Sequence, residues 1–247
     1  MSKLNGTRVL HNMRFSLLIV FFFSVIHQVH AQNTNETENA VVSDIDGNVY
    51  HTVTIGNQTW LKENLQVTHY RNGDLIPNVT ADTLWSKLRT GAYCHYNNYE
   101  NLVPVYGRLY NWHAVSDSRN IAPAGWHVPS NEEVFALAKF LGGYKTAGGK
   151  MKEADTTHWQ NPNTDADNAS GFTALPGGTR CELNGSFGGF GSYALFWTGA
   201  SNGAEYAWKF SLDFDKNILV HNYYYKWVGY SVRCIKDSAP SSNEIQK

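Results

Sequence analysis

Beyond residue 44, no apolar run lasts long before Gly, Asn or Asp interrupts it. That punctuation leaves room for short strands and a few helices, but not for regular β-α-β crossovers. Val49, His51, Val53 and Ile55 alternate with Tyr50, Thr52 and Thr54, which is the period of a strand. Gly56-Asn57 then turns the chain and residues 58–61 begin a return strand, so a hairpin is predicted. Residues 65–70 and 91–96 read as further strands. Residues 192–198, 206–212, 218–223 and 229–236 read as four more, separated by turn residues.

Helical spacing occurs twice. Tyr106, Leu109, Tyr110 and Ala114 predict a short helix over 106–115. The second, over 130–141, is the clearer one. Ser130 can cap it, Glu133 can bond back to the cap, and Val134, Leu137, Ala138 and Leu141 form one apolar stripe. Gly142-Gly143 ends it. From there to about residue 191 the chain reads as glycine-rich loop, broken only at residues 172–175. Segregated helices and strands predict an α+β domain, and no internal repeat is present.

The N-terminus reads as an export signal. Lys3, Arg8 and Arg14 precede a 12-residue apolar run, residues 15–26, and Val29-His30-Ala31 supplies small residues for cleavage. A membrane-spanning helix needs about 20 apolar residues, so an uncleaved anchor is the weaker reading. Cleavage would leave residues 32–43 as a flexible leader, 44–237 as one domain and 238–247 as a polar tail, in a secreted, periplasmic or cell-surface protein without a membrane span.

Removing residues 1–31 takes three of the 20 basic residues and none of the 21 acidic ones. The remainder is acidic, which argues against a nucleic-acid partner. Its three cysteines, Cys94, Cys181 and Cys234, allow one disulfide and one spare thiol, with the pairing open. All eight Trp and all fourteen Tyr lie beyond residue 31. Such rings either fill a core or present a platform for a sugar or peptide.

Six ordered segments carry a resemblance. They are Asp44-Ile-Asp-Gly-Asn-Val-Tyr, Ile55-Gly-Asn-Gln-Thr-Trp-Leu-Lys-Glu-Asn-Leu65, Tyr106-Gly-Arg-Leu-Tyr-Asn-Trp112, Pro123-Ala-Gly-Trp-His-Val-Pro129, Ser170-Gly-Phe-Thr-Ala-Leu-Pro-Gly-Gly178 and Ser231-Val-Arg-Cys234. Together the chain resembles the Fibrobacter succinogenes major paralogous domain over residues 44–237. The resemblance implies export in Fibrobacter and Bacteroidetes-type bacteria. It also implies a relative of the C-type-lectin and formylglycine-generating-enzyme fold, with two helices packed on short antiparallel strands and long loops. Members of that family often carry a Cys before the Pro-x-Gly-Trp segment, where this chain has Ala122. If that Cys pairs with the one in Val-Arg-Cys, Cys234 has lost its usual partner, and Cys181 and Cys94 are the substitutes.

In the lectin-like fold, the segment holding Trp159, Tyr193, Trp197, Asn202, Glu205 and Trp208 forms the variable loop region. These residues are therefore the candidate ligand site, with rings to stack on sugar C–H faces and amide or carboxylate groups to bond hydroxyls. The competing reading turns Trp197 and Trp208 inward. Asp213, Asp215 and Asn217 have the alternate spacing of a calcium loop, as do Asp44, Asp46 and Asn48, but neither set continues to a closing Glu. Asp, Asn and Gly also dominate turns for conformational reasons, and the turn reading is the stronger one for both sets. Calcium is the one cofactor this spacing admits.

No Gly-x-Ser-x-Gly or HExxH motif occurs. His95, His113, His127, His158 and His221 are scattered, and Glu205, Asp213 and Asp215 are the candidate acid–base carboxylates. The reading that follows is a non-enzymatic binding module for an extracellular glycan or surface protein. The alternatives are an extracellular oxidase-like or hydrolytic enzyme and a structural envelope component.

Overall fold

A computed structural model describes residues 40–181 and 183–238, within the unit Thr37–Lys247. The proposed signal peptide, most of the leader and nearly all of the polar tail lie outside the described residues. The predicted hairpin is present. β2 (Val49–Ile55) pairs antiparallel with β3 (Gln58–Leu61) in the register Val53↔Trp60, and Gly56 makes the turn at φ +64°. β1 (Val41–Ser43) lines one edge of β2. β3 pairs in turn with β12 (Ile235–Lys236), and β12 with β6 (Trp126–His127), giving the order β1-β2-β3-β12-β6. The two ends of the described chain thus close one sheet.

β4 (Tyr93–Cys94) pairs with β5 (Leu109–Tyr110), and β7 (Gly177–Arg180) with β8 (Phe187–Phe190). The fourth sheet contains the two longest strands, β9 (Tyr193–Asn202) and β10 (Tyr206–Asp213). With β11 (Val220–Tyr225) they are antiparallel in the order β11-β10-β9. The helices are α1 (Asp82–Trp85), α2 (Val103–Tyr106), α3 (Trp112–Val115), α4 (Asn131–Phe140) and α5 (Tyr144–Met151).

This architecture corrects the α+β, C-type-lectin-like expectation. The protein is mostly β, 31% strand against 18% helix, with a curled antiparallel half-barrel sheet in place of two helices on short strands. One cause is the predicted helix over 106–115, which does not form. Gly107 sits at φ +71°, where a Cβ would lie 2.6 Å from Asn64, so the backbone leaves the helical region. α2 ends there, β5 follows, and the Asn111 side chain accepts from Ala114 N–H to start α3 afresh. A one-turn helix, a strand and another one-turn helix share the spacing of a single helix.

α4 has its capping box: Ser130 Oγ accepts from Glu133 N–H at 3.2 Å, and Glu133 Oε2 accepts from Ser130 N–H at 2.8 Å. α5 replaces part of the predicted loop. Its glycines are there for contact rather than flexibility. A Cβ on Gly148 would lie 2.4 Å from Ile218 O, and one on Gly149 2.4 Å from Asp165 O.

Among the described residues three clusters fill the interior, the smallest of them Trp85, Ala92, Cys94 and Leu109. Tyr50, Tyr110, Trp112, Trp126, Trp197 and Tyr230 anchor the first. Trp60, Trp159, Phe172, Phe196 and Phe210 pack against α4 and α5 in the second. Large aromatics carry most of such a core's apolar area. The expected disulfide is not formed: no two of Cys94, Cys181 and Cys234 come within bonding distance. Among the described residues no helix is long and apolar enough to cross a membrane.

Candidate functional site

The antiparallel register of β10 and β11 sets Tyr206 opposite Tyr225, Trp208 opposite Tyr223 and Phe210 opposite His221. Alternate residues share one face of a strand, so all six rings lie on the same side of the sheet. Phe210 is buried in the second core cluster, Tyr223 is exposed, and Tyr206, Trp208, His221 and Tyr225 are half-buried. Ring centroids lie 5.0 Å apart for Trp208 and His221, 5.6 Å for Trp208 and Tyr223, 5.7 Å for Tyr206 and Tyr223, and 4.8 Å for Tyr206 and Tyr225. These are edge-to-face and offset distances at which aromatic pairs attract.

The row extends past the sheet at both ends. Tyr225 stacks on Trp227 at 5.0 Å, and the Arg89 guanidinium covers the indole at 3.9 Å. At the other end His221 stacks on Tyr144 at 6.2 Å, and Tyr144 meets Phe135 at 6.4 Å. Phe135 is 55% exposed, Tyr223 49% and Phe140 63%. A shallow hollow bounded by Phe135, Lys139, Gly142, Gly143 and Tyr144 lies at this end.

Two features position the row. The pairing of β10 with β9 shifts register between Ala207 and Lys209, an irregularity that leaves Trp208 without a Cα partner on β9. Such bulges commonly re-aim one side chain. Thr198 Oγ1 donates to Trp208 O at 3.1 Å and so satisfies the loosened carbonyl. His221 sits 3.2 Å from Tyr144 Oη and 3.1 Å from Asn131 Oδ1. Burial pulls its pKa down, so the ring is neutral at pH 7 and presents an apolar face.

The six residues singled out from sequence are only partly brought together. Trp208 is the middle of the ring row, with Asn202 and Glu205 at the tip of the β9–β10 hairpin beside Tyr206. Trp159 and Trp197 are core residues, their indole N–H groups donating to Ala174 O and Tyr110 O at 2.9 Å. Tyr193 is exposed but packs over Gly189 at the far end of β9. Tyr206, His221, Tyr223 and Tyr225 were missed. Their spacing at i, i+2 on two consecutive strands is the signal that would have found them.

The Asp213-Asp215-Asn217 loop holds an internal cation. Lys152 is fully buried, and its Nζ donates to Thr164 O and Asp213 O at 3.0 Å and to Lys216 O at 2.8 Å. Burial lowers its pKa to about 8, against the raising pull of Asp213, Asp165 and Asp215. The acidic side chains are engaged as well. Asp213 and Asp215 pair with Lys216 at 2.6 and 3.2 Å, and Asn217 Nδ2 donates to Asp165 at 2.8 Å. An ammonium therefore takes the carbonyl oxygens that calcium would need. In the other loop Asp44 accepts from the N–H groups of Asp46 and Asn48 at 2.9 and 3.0 Å, an Asx-type turn. Among the described residues no three His, Cys, Asp or Glu side chains converge on a metal position.

Two of the three thiols are buried and held neutral. Burial pushes the Cys94 and Cys234 thiols up to about 12, far from the thiolate that exchange or metal binding requires. Residues 53–236 match the family model described as the Fibrobacter succinogenes major domain. No curated protein and no solved structure matches the chain.

Proposed function

The chain belongs to the Fibrobacter succinogenes major domain family, and from that premise we propose that it is a non-enzymatic module that binds a saccharide chain along the ring row of β10 and β11. The observation that carries this reading is the unbroken series of ring contacts from Phe135 to Trp227 on one side of the molecule. Ring faces stack on the C–H faces of pyranoses, and Tyr hydroxyls with Asn202 and Glu205 offer donors and acceptors for sugar hydroxyls. A polymer suits such an open row better than a small molecule, which would require a closed pocket. The basic, apolar and small-residue segments of residues 3–31 support a role outside the cytoplasm.

A second reading is docking of a surface protein. It is favoured by the exposed Phe135 and Phe140 on α4, which have no polar handle. Gel-retardation assays on soluble polysaccharides separate the two. Saccharide binding predicts retardation that is weakened about tenfold in Tyr223→Ala while Phe140→Ser binds like the parent. A module that no polysaccharide retards, whether or not Tyr223 is intact, is not a saccharide binder.

A further inference from the structure

The ring row ends in positive charge. The Arg89 guanidinium lies 3.9 Å from the centroid of the Trp227 indole, and Arg89 is exposed. Its Nη1 donates to Leu88 O at 2.7 Å. Among the described residues no carboxylate pairs with it, and no acceptor meets Nε or Nη2. A guanidinium stacked on a ring engages it through its face, which leaves the in-plane N–H edge for an acceptor. Here that edge is open to a ligand beside the last ring of the row.

Two more basic groups stand near it. Lys226, next to Trp227 in the chain, is 8% exposed, and its Nζ lies 4.6 Å from the Trp112 ring centroid and donates to Gly203 O at 2.7 Å. His113, on α3, has its Nε2 enclosed without a hydrogen-bond partner. Burial, and then the charges of Lys226 and Arg89, hold the His113 pKa below its usual value. Both charged neighbours that act on this ring are therefore cations, and like charges at close range repel. The carboxylates that act on the row do so at other rings, Glu205 at Tyr206 and Glu132 at His221. The whole chain has a formal charge of −1, so the positive end is a local arrangement and not a consequence of basic composition.

Resting on the saccharide reading of the ring row, we propose that the bound chain is an acidic saccharide, with the sugar stacked at Trp227 carrying a carboxylate or sulfate ester that meets the free edge of Arg89. Both groups offer two anionic oxygens to a guanidinium fork. The anion also relieves the repulsion among Arg89, Lys226 and any proton on His113. Glu205 and Glu132 disfavour a second negative charge at Tyr206 or His221, so the acidic unit is placed at the Trp227 end of the row.

Isothermal titration calorimetry on the full chain tests this with paired soluble polymers: polygalacturonate and its methyl ester, chondroitin and its methyl ester, and dextran sulfate and dextran. The first two pairs report a carboxylate and the third a sulfate. The expected result is a charged form that binds about tenfold more tightly than its neutral partner in about 0.05 M salt, with the gap closing in about 0.5 M salt. Arg89→Gln should abolish the gap, and Arg89→Lys should keep part of it. Arg89 is exposed, so both variants should keep the parent's thermal midpoint. Charged and neutral forms that bind equally overturn the acidic assignment and leave the ring row standing, and a gap that persists in Arg89→Gln does the same. If no polymer of any pair binds, here or in gel retardation, the saccharide reading falls with it.

Discussion

Trp208 on β10 meets Tyr223 on β11 directly across the strand pair, with ring centroids 5.6 Å apart and planes at 78°. The Trp197 indole, on the neighbouring strand, is fully buried and bonded to Tyr110 O. The ring row and the core tryptophan of one sheet are thus packed differently, and substituting Tyr223 and Trp197 separates them. Tyr223→Ala should weaken saccharide binding about tenfold, near 1.4 kcal/mol, with a thermal midpoint close to that of the parent. Trp197→Ala should cost about 3–5 kcal/mol of stability through the cavity it leaves. Binding isotherms and denaturant titrations on both variants check the pair, and a Tyr223→Ala protein that binds at full strength removes the ring row from the site.

Lys152 Nζ already bonds three carbonyls around the loop that holds Asp213. Neither added calcium nor a chelator should move the thermal midpoint of the parent protein. Lys152→Met should lower stability by about 1–3 kcal/mol, because three part-buried carbonyls lose their charged donor. A calcium-dependent rise in the parent's midpoint contradicts this account.

His127 ties the start of α4 to the C-terminal strand. Its Nε2 lies 3.0 Å from Glu133 and its Nδ1 2.7 Å from Asp237. The bond to Glu133 raises its pKa above the usual 6.5, against burial and with help from Asp237. A raised folded-state pKa means that the stabilisation is complete below the unfolded value and fades as pH rises through the folded one. Stability should therefore decline above about pH 6.5, and His127→Gln should flatten that decline. Chemical denaturation from pH 5 to 9 measures it. Because the ring is about a third exposed, the effect is small.

Cys94 and Cys234 should resist alkylation until the protein unfolds, since both are buried with thiols pushed up to about 12. Ala122 shares a buried cluster with Cys234. Ala122→Cys should cross-link to it under oxidising conditions and add up to about 4 kcal/mol by closing a long loop. Non-reducing electrophoresis after proteolysis reports the link, and two thiols that stay reduced would show that the pair is misaligned.

Local signals were legible wherever a few adjacent residues decide the outcome. The hairpin around Gly56 and the capped helix α4 follow from alternation, turn chemistry and Ser130 with Glu133, and the structure has both. Long-range contacts decided the rest. Gly107 takes a left-handed backbone where a Cβ would meet Asn64, and Gly148 and Gly149 let α5 approach Ile218 and Asp165 more closely than any side chain would allow. The site divides the same way. Sequence alone marked the aromatic abundance and the strands that carry it, since composition and period two are properties of the chain. Only the pairing of β10 with β11 could decide that Trp208, Tyr206 and Tyr223 share an open face while Trp197 is buried. Register is set between segments distant in sequence, and a ring's exposure depends on what lies opposite it.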